Sequence, residues 1–256
     1  MSVRAEKIAQ AVQLLDRHDL DLWLTFVSES ANLPDPSLQM ILGSNVTWQS
    51  AFGIHRSGET FALVGSLDET ATKAAGTFPE VTGYVGSVRE PLRGVLGRLD
   101  PQSIGLNYST SSPMADGLRH GLYLALLDLL DGTPYRDRLT SAEGLLADLR
   151  GLKTPTELQR VRAAVDLTID LFGRVSEFMA IGRTEQEIAQ FMLAEVEKEG
   201  VELAWDPDHC PAVFTGPESA GAHAAPTART IEPGHVLNID FGVKVDGYCS
   251  DLQRTW

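Results

Sequence analysis

Leu237-Asn238-Ile239-Asp240-Phe241-Gly242-Val243-Lys244-Val245-Asp246-Gly247-Tyr248-Cys249-Ser250-Asp251-Leu252-Gln253-Arg254-Thr255 consists of two strand-like runs joined by Asp-Gly. Asp-Gly between such runs is a strong hairpin signal, because a type I′ turn needs positive φ at both central residues. With Asp246 and Gly247 as a two-residue loop, Val245 pairs with Tyr248, Gly242 falls opposite Asp251, and Asp240 falls opposite Gln253. Facing residues and alternate residues share a face, so Asp240 and Asp251 become diagonal neighbours on one side of the hairpin. Diagonal Cα atoms lie roughly 7–8 Å apart. From there two carboxylates can converge on a pair of cations separated by roughly 3.5–4 Å. Gly242, opposite Asp251, is expected to leave room for an ion. Carboxylates this close repel unless a cation or a shared proton compensates. The spacing alone is equally consistent with an Asp240 that hydrogen-bonds a loop and an Asp251 that faces solvent.

Upstream of the hairpin, whose first strand is expected over 236–245, residues 206–233 are rich in Pro, Gly, Ser, Thr and Ala and predict loops and short strands. Before them stand two well-punctuated helices. Thr154-Pro155-Thr156-Glu157 combines a Thr N-cap, Pro at the first helical position and Glu three after the cap. That helix is expected to reach Ala180, with Leu158, Val161, Val165, Leu167, Ile169 and Phe172 on its buried side. Ile181-Gly182 closes it, Thr184 with Glu187 forms a second capping box, and Gly200 ends the next helix after Glu199.

The N-terminal half alternates in kind. Ile8, Val12 and Leu15 mark a helix over 5–17, and Asp21 to Val27 a strand. Strands over 45–52 and 60–64 flank a turn at 55–58, and a helix is expected over 68–75. A helix over 89–99, a strand over 103–106 and a long helix over 114–130 complete it. Strands alternating with helices predict an α/β domain with a small parallel or mixed sheet. The division is expected as 1–138 and 139–256.

At 256 residues with 43% hydrophobic and 22% charged residues, the chain can build two cores. Its formal charge of −14 is spread without blocks and would repel phosphate backbones, which argues against a nucleic-acid partner. No stretch approaches the ~20 apolar residues of a membrane span, and residues 1–10 lack the apolar core of a signal peptide. The expectation is a cytoplasmic protein with no membrane partner. Cys210 and Cys249 are too few for a disulfide framework and are read as reduced thiols.

The run from Ile231 to Gly242, followed by Asp246 to Thr255, resembles the first half of the catalytic domain of the pita-bread metallopeptidases, the family of prolidase, aminopeptidase P, methionine aminopeptidase and creatinase. Residues 151–158 are similar to the segment that opens this domain in prolidases and aminopeptidases P. Residues 45–52 resemble their creatinase-type N-terminal domain, with Trp48 and Ala51 where Tyr and Gly are more usual. The resemblance is most specific in the final 26 residues and looser towards the N-terminus. It implies a creatinase-type N-terminal α/β domain followed by the first half of an α+β pita-bread domain. It implies metal-dependent hydrolysis of the peptide bond preceding proline, in Xaa-Pro dipeptides or at peptide N-termini. Asp240 and Asp251 would be metal ligands, with Asp251 bridging two divalent ions, manganese first and zinc or cobalt as alternatives. His223 would line the substrate pocket and handle protons on the scissile amide, although a histidine in a Gly/Ala/Pro loop is ordinarily a surface residue. His209 and His235 match no family ligand and are read as structural. A homodimer is the expectation for its assembly.

The family centre uses five protein ligands, two Asp followed by a His and two Glu. No His or Glu follows Asp251 in this sequence. The 256-residue chain alone is therefore not expected to turn over peptide, and its last strand, left with an open edge, suggests part of a longer polypeptide. Two alternatives remain beside the peptidase: a pita-bread module that binds peptides without cleaving them, and a creatinase-like hydrolase acting without metal. The paired aspartates favour the metallopeptidase.

Overall fold

The computed structural model describes residues 2–30, 34–217 and 225–256, and the chain forms two compact units, Met1–Thr154 and Pro155–Trp256. The first unit contains α1 (Val3–Arg17), β1 (Leu22–Val27), α2 (Leu38–Ile41), β2 (Ser50–His55), β3 (Thr60–Gly65), α3 (Glu69–Ala75), β4 (Glu80–Tyr84), α4 (Arg89–Leu99), β5 (Ile104–Leu106), α5 (His120–Leu129), β6 (Leu139–Ser141) and α6 (Glu143–Gly151). Its sheet has the order β4-β3-β2-β1-β5-β6. The pairs β1–β2 and β2–β3 are antiparallel, and the other three are parallel. The fold is the mixed α/β arrangement expected.

β1 is buried along its whole length because helices cover both faces of the sheet. Leu22, Leu24 and Phe26 point into a core with Leu92, Val95 and Leu96 of α4 and Leu126 of α5. Trp23 and Val27 point the other way, into a core with Ala11 and Leu15 of α1 and Leu145, Leu146 and Leu149 of α6. Burying each such side chain stabilises by about 1.5–3 kcal/mol.

Three features differ from expectation. The helix anticipated over 114–130 is divided: Pro113–Ala115 forms a 3-10 turn, and the α-helix starts only at His120. The strand anticipated over 45–52 is shifted to Ser50–His55. The first unit extends past residue 138 to Thr154, since β6 pairs with β5 and α6 supplies three leucines to the core.

The second unit contains α7 (Pro155–Phe178), α8 (Glu185–Glu199), β7 (Glu202–Leu203), β8 (Ala212–Thr215), β9 (Leu237–Phe241), β10 (Val243–Val245), β11 (Tyr248–Cys249) and β12 (Leu252–Thr255). The Thr184–Glu187 capping box forms in both directions, and α8 ends on Gly200 at φ 68°. Two three-stranded sheets result, β11-β10-β7 and β12-β9-β8.

The buried stripe of α7 runs through Ala164, Thr168, Leu171, Phe172 and Val175. Leu158 and Ile169, expected inside, are exposed. In its first half the helix buries small residues, and Thr168 Oγ1 lies 2.7 Å from Ser250 Oγ, while Leu158 and Ile169 fall off that line. Phe172 meets Phe241 edge-on at 5.9 Å, within the core that also holds Leu237 and Ile239.

Candidate metal centre

The hairpin has the register read from its turn. Val245 pairs with Tyr248 and Lys244 with Cys249, while Asp240 pairs with Gln253 and Phe241 with Leu252. Both stretches share one register, so no residue is inserted on either strand between them. Asp246 and Gly247 adopt positive φ, 49° and 81°, as a type I′ turn requires.

Alternation then separates the faces. Leu237, Ile239 and Phe241 are buried against the helices, while Asn238 and Asp240 take the opposite, half-buried face. On that face Asn238 Nδ2 donates to Thr255 Oγ1 (2.9 Å), and Gln253 Nε2 donates to Asn238 Oδ1 (2.7 Å). Asp251 is exposed and Asp240 half-buried. β8 pairs with β9 on its other edge and sets Ala212 opposite Asp240. Sequence reading did not single out Ala212, because no local signal sets the register of β8.

Between the two paired stretches stand Gly242, Ser250 and Asp251. Gly242 does not leave an open space as expected. A Cβ there would lie 2.1 Å from the Ser250 carbonyl oxygen, so the glycine is required by close backbone approach. Ser250 is anchored in turn: its N–H donates to Val243 O (3.0 Å), and its Oγ accepts from the Val243 N–H (2.9 Å). Asp251 is thus held by a rigid neighbour although its own side chain faces solvent.

Cys210, fully buried, donates its thiol to Gly242 O at 3.5 Å. Burial pushes this thiol above its ordinary range, and the negative charge of Asp240 adds to the shift. Both cysteines are free. His235 accepts from the Glu232 N–H through Nδ1 (3.3 Å), a local turn contact in keeping with a structural role. His223 lies outside the described residues.

The candidate donors are the carboxylates of Asp240, in β9, and Asp251, between β11 and β12, hard oxygen ligands that suit a divalent cation in kind. Among the described residues no group of three or more His, Cys, Asp or Glu side chains is placed to hold a metal ion. A cavity of about 820 Å³ lies within the first unit, lined by residues that include Pro36, Tyr108 and Tyr123, and contains neither aspartate. No helix among the described residues is long and apolar enough to cross a membrane.

Residues 159–256 match the model of metallopeptidase family M24. A Mycoplasma genitalium protein assigned as a Xaa-Pro aminopeptidase is 34% identical over 110 residues, which are 43% of this chain and 30% of that protein. A Mycoplasma pneumoniae protein with the same assignment is 31% identical over an equal length. In structure, the chain is similar to a Xaa-Pro dipeptidase from Bacillus anthracis, with a TM-score of 0.69 at 22% identity, over 98% of this chain and 64% of that one. An X-Pro aminopeptidase from Thermotoga maritima gives a TM-score of 0.65 at 21% identity, over 97% and 64%. The alignments thus span about 30% of the curated relatives and 64% of the solved chains. The resemblance to the pita-bread metallopeptidases is borne out, with the family match confined to the second half of the chain.

Proposed function

We propose that this chain carries the first two metal ligands, Asp240 and Asp251, of a Xaa-Pro peptidase of the dipeptidase or aminopeptidase P type. One observation supports the reading: the paired stretches on either side of Asp251 share one register, so that by alternation along the strands Asp251 falls on the face of Asp240. Divalent ions bound there, manganese first and zinc or cobalt as alternatives, supply Lewis acidity and activate water near neutral pH. Asp240 and Asp251 would hold them, with the backbone of Asp251 fixed by the anchored Ser250. His223 is assigned proton handling at the scissile amide nitrogen.

The substrate is a proline-containing peptide, the assembly a homodimer and the compartment the cytoplasm. The 256-residue chain by itself does not turn over peptide, because two carboxylates alone cannot fix two ions with open positions for water and substrate. Intact-mass measurement paired with a manganese-supplemented Xaa-Pro cleavage assay tests this. Metal-dependent cleavage by a longer polypeptide containing this chain supports the reading. A longer polypeptide that binds peptide without cleaving it, with or without manganese, would replace it by the binding-module alternative.

A further inference from the structure

The cavity of about 820 Å³ in the first unit falls in the size range of small-ligand sites, roughly 300–1,000 Å³. Its wall draws on three stretches: Pro36 ahead of α2, Tyr108 after β5, and the chain from Pro113 into α5. The Tyr108 and Tyr123 rings meet at 6.3 Å between centroids with a tilt of 58°, and with Pro36 and Pro113 they form an apolar surface. Arg119 and Asp116 add one fixed charge of each sign to the same wall, and His120 an imidazole. Arg119 Nη2 donates to Ser28 Oγ (2.7 Å), which anchors a guanidinium whose five donors exceed that contact. Asp116 Oδ1 accepts from the Ser109 N–H (3.3 Å).

A buried polar network stands behind this wall. Asn107, Asp35 and Ser37 are 2%, 4% and 1% exposed. Trp23 Nε1 donates to Asn107 Oδ1 (2.6 Å), and Asn107 Nδ2 donates to Asp35 Oδ2 (2.9 Å) and Ser37 Oγ (2.8 Å). The Ser37 N–H and Oγ both donate to Asp35 Oδ1, at 2.8 and 2.6 Å. The Leu118 N–H donates to Asn107 O (2.7 Å), and a Cβ on Gly117 would lie 2.2 Å from Asp35 Oδ2. Burying a carboxylate is costly unless its oxygens are hydrogen-bonded, so positions filled for packing alone would be apolar. Here the polar groups fasten the Pro36 and Leu118 stretches to the end of β5. The three wall stretches are thereby held in place before a ligand arrives, as a preorganised site requires.

We propose that this cavity binds a small zwitterion carrying a proline or aromatic ring, either a free amino acid or a dipeptide. Its carboxylate pairs with Arg119, its ammonium with Asp116, and its ring lies on Tyr108 and Tyr123. A wall with one charge of each sign suits a zwitterion better than a phosphate or a metal ion, and the tyrosine surface suits a ring better than a bare backbone. The site belongs to the first unit and stands whether or not the peptidase reading holds.

The test is calorimetric titration of the 256-residue chain with L-phenylalanine, L-proline and Gly-Pro, with ¹H–¹⁵N amide spectra locating the site. Glycine and N-acetyl-proline amide serve as controls. Saturable binding of at least one ringed zwitterion is expected, with amide shifts at Asn107, Tyr108 and residues 116–123 and none at Ile239 or Phe241. Glycine, which lacks the ring, and the N-acetyl amide, which lacks both charges, should each bind about tenfold more weakly or not at all. Arg119 is exposed, so Arg119→Gln should keep the parent Tm while weakening binding about tenfold, and exposed Asp116→Asn should act likewise. Tighter binding of Gly-Pro than of either amino acid supports a dipeptide as the ligand, and the reverse order supports a free amino acid. The proposal is overturned if none of the three ligands binds, if the shifts fall outside the cavity wall, if N-acetyl-proline amide binds as tightly as they do, or if both charge variants bind like the parent.

Discussion

Replacing Gly242 with alanine tests the hairpin where its geometry is tightest. The added Cβ would stand 2.1 Å from Ser250 O and 2.8 Å from Ser250 C, both backbone atoms, and 3.0 Å from Ala204 Cβ. Close carbon–oxygen contacts settle at about 3.3–3.6 Å, so the Ser250 carbonyl would have to retreat by roughly 1 Å or more. It cannot do so freely, because the Ser250 N–H and Oγ both bond to the Val243 backbone and Oγ also bonds to Thr168 Oγ1. Overpacking costs about 1–3 kcal/mol. Two weakened hydrogen bonds add about 0.5–1.5 kcal/mol each, giving a total of about 2–6 kcal/mol. For a unit of this size each kcal/mol lowers Tm by about 4–8 °C, so the expected drop is roughly 10 °C or more. Thermal unfolding followed by tryptophan fluorescence reads the stability, and Mn²⁺ titration calorimetry below the transition reads the centre. Affinity should fall at least about tenfold, since moving Ser250 moves Asp251 and metal sites tolerate little displacement. A variant with unchanged Tm and unchanged Mn²⁺ affinity would refute both the close-approach argument and the link from Ser250 to Asp251.

Asp251→Asn should weaken Mn²⁺ binding by about tenfold or more, as loss of a coordinating carboxylate does, while leaving the unfolding midpoint in urea nearly unchanged because the side chain is exposed. Ser250→Ala leaves the buried Val243 N–H without its acceptor and should cost about 1–3 kcal/mol by urea denaturation. In native protein, iodoacetamide should label exposed Cys249 and spare buried Cys210, whose thiol burial also pushes upward; mass spectrometry of tryptic peptides reads the ratio. The Thr184 N–H holds Glu187 below the ordinary carboxylate range, so its contribution is present above the unfolded-state pKa and is lost as pH falls through the folded one. The Tm gap between the parent and Glu187→Gln should therefore be open at neutral pH and close in acid.

What was legible in the sequence was local chemistry. The Thr184–Glu187 box, the Pro155 start and the Asp246-Gly247 turn each act within a few residues, and each forms as read. Because the turn sets a register, it carried information to Asp240 and Asp251 on either side of it. Less legible was anything decided by a distant partner. β6 exists because β5 offers it an edge, and no pattern in Leu139-Thr140-Ser141 announces it. Leu158 and Ile169 looked like core residues, but α7 faces the hairpin through Ala164 and Thr168, because close packing there demands small side chains. Gly242 was noticed for the wrong reason: its small size serves the Ser250 carbonyl rather than an ion.

On the proposed reading, stability and metal binding would be carried by opposite faces of the same hairpin. Leu237, Ile239 and Phe241 are buried against the helices, while Asp240, Asp251 and Gln253 occupy the face away from that core. Substituting a carboxylate should thus change the ion and spare the fold. Gly242, Ser250 and Thr168 break this separation, since they join the two paired stretches of the hairpin and fasten them to α7. Changes at these three positions should lower stability and metal affinity together, whereas changes at the aspartates should lower affinity alone. If an aspartate variant lost stability as steeply as Ser250→Ala, the carboxylates would be structural members of the hairpin, and the metal centre would lose its main physical support.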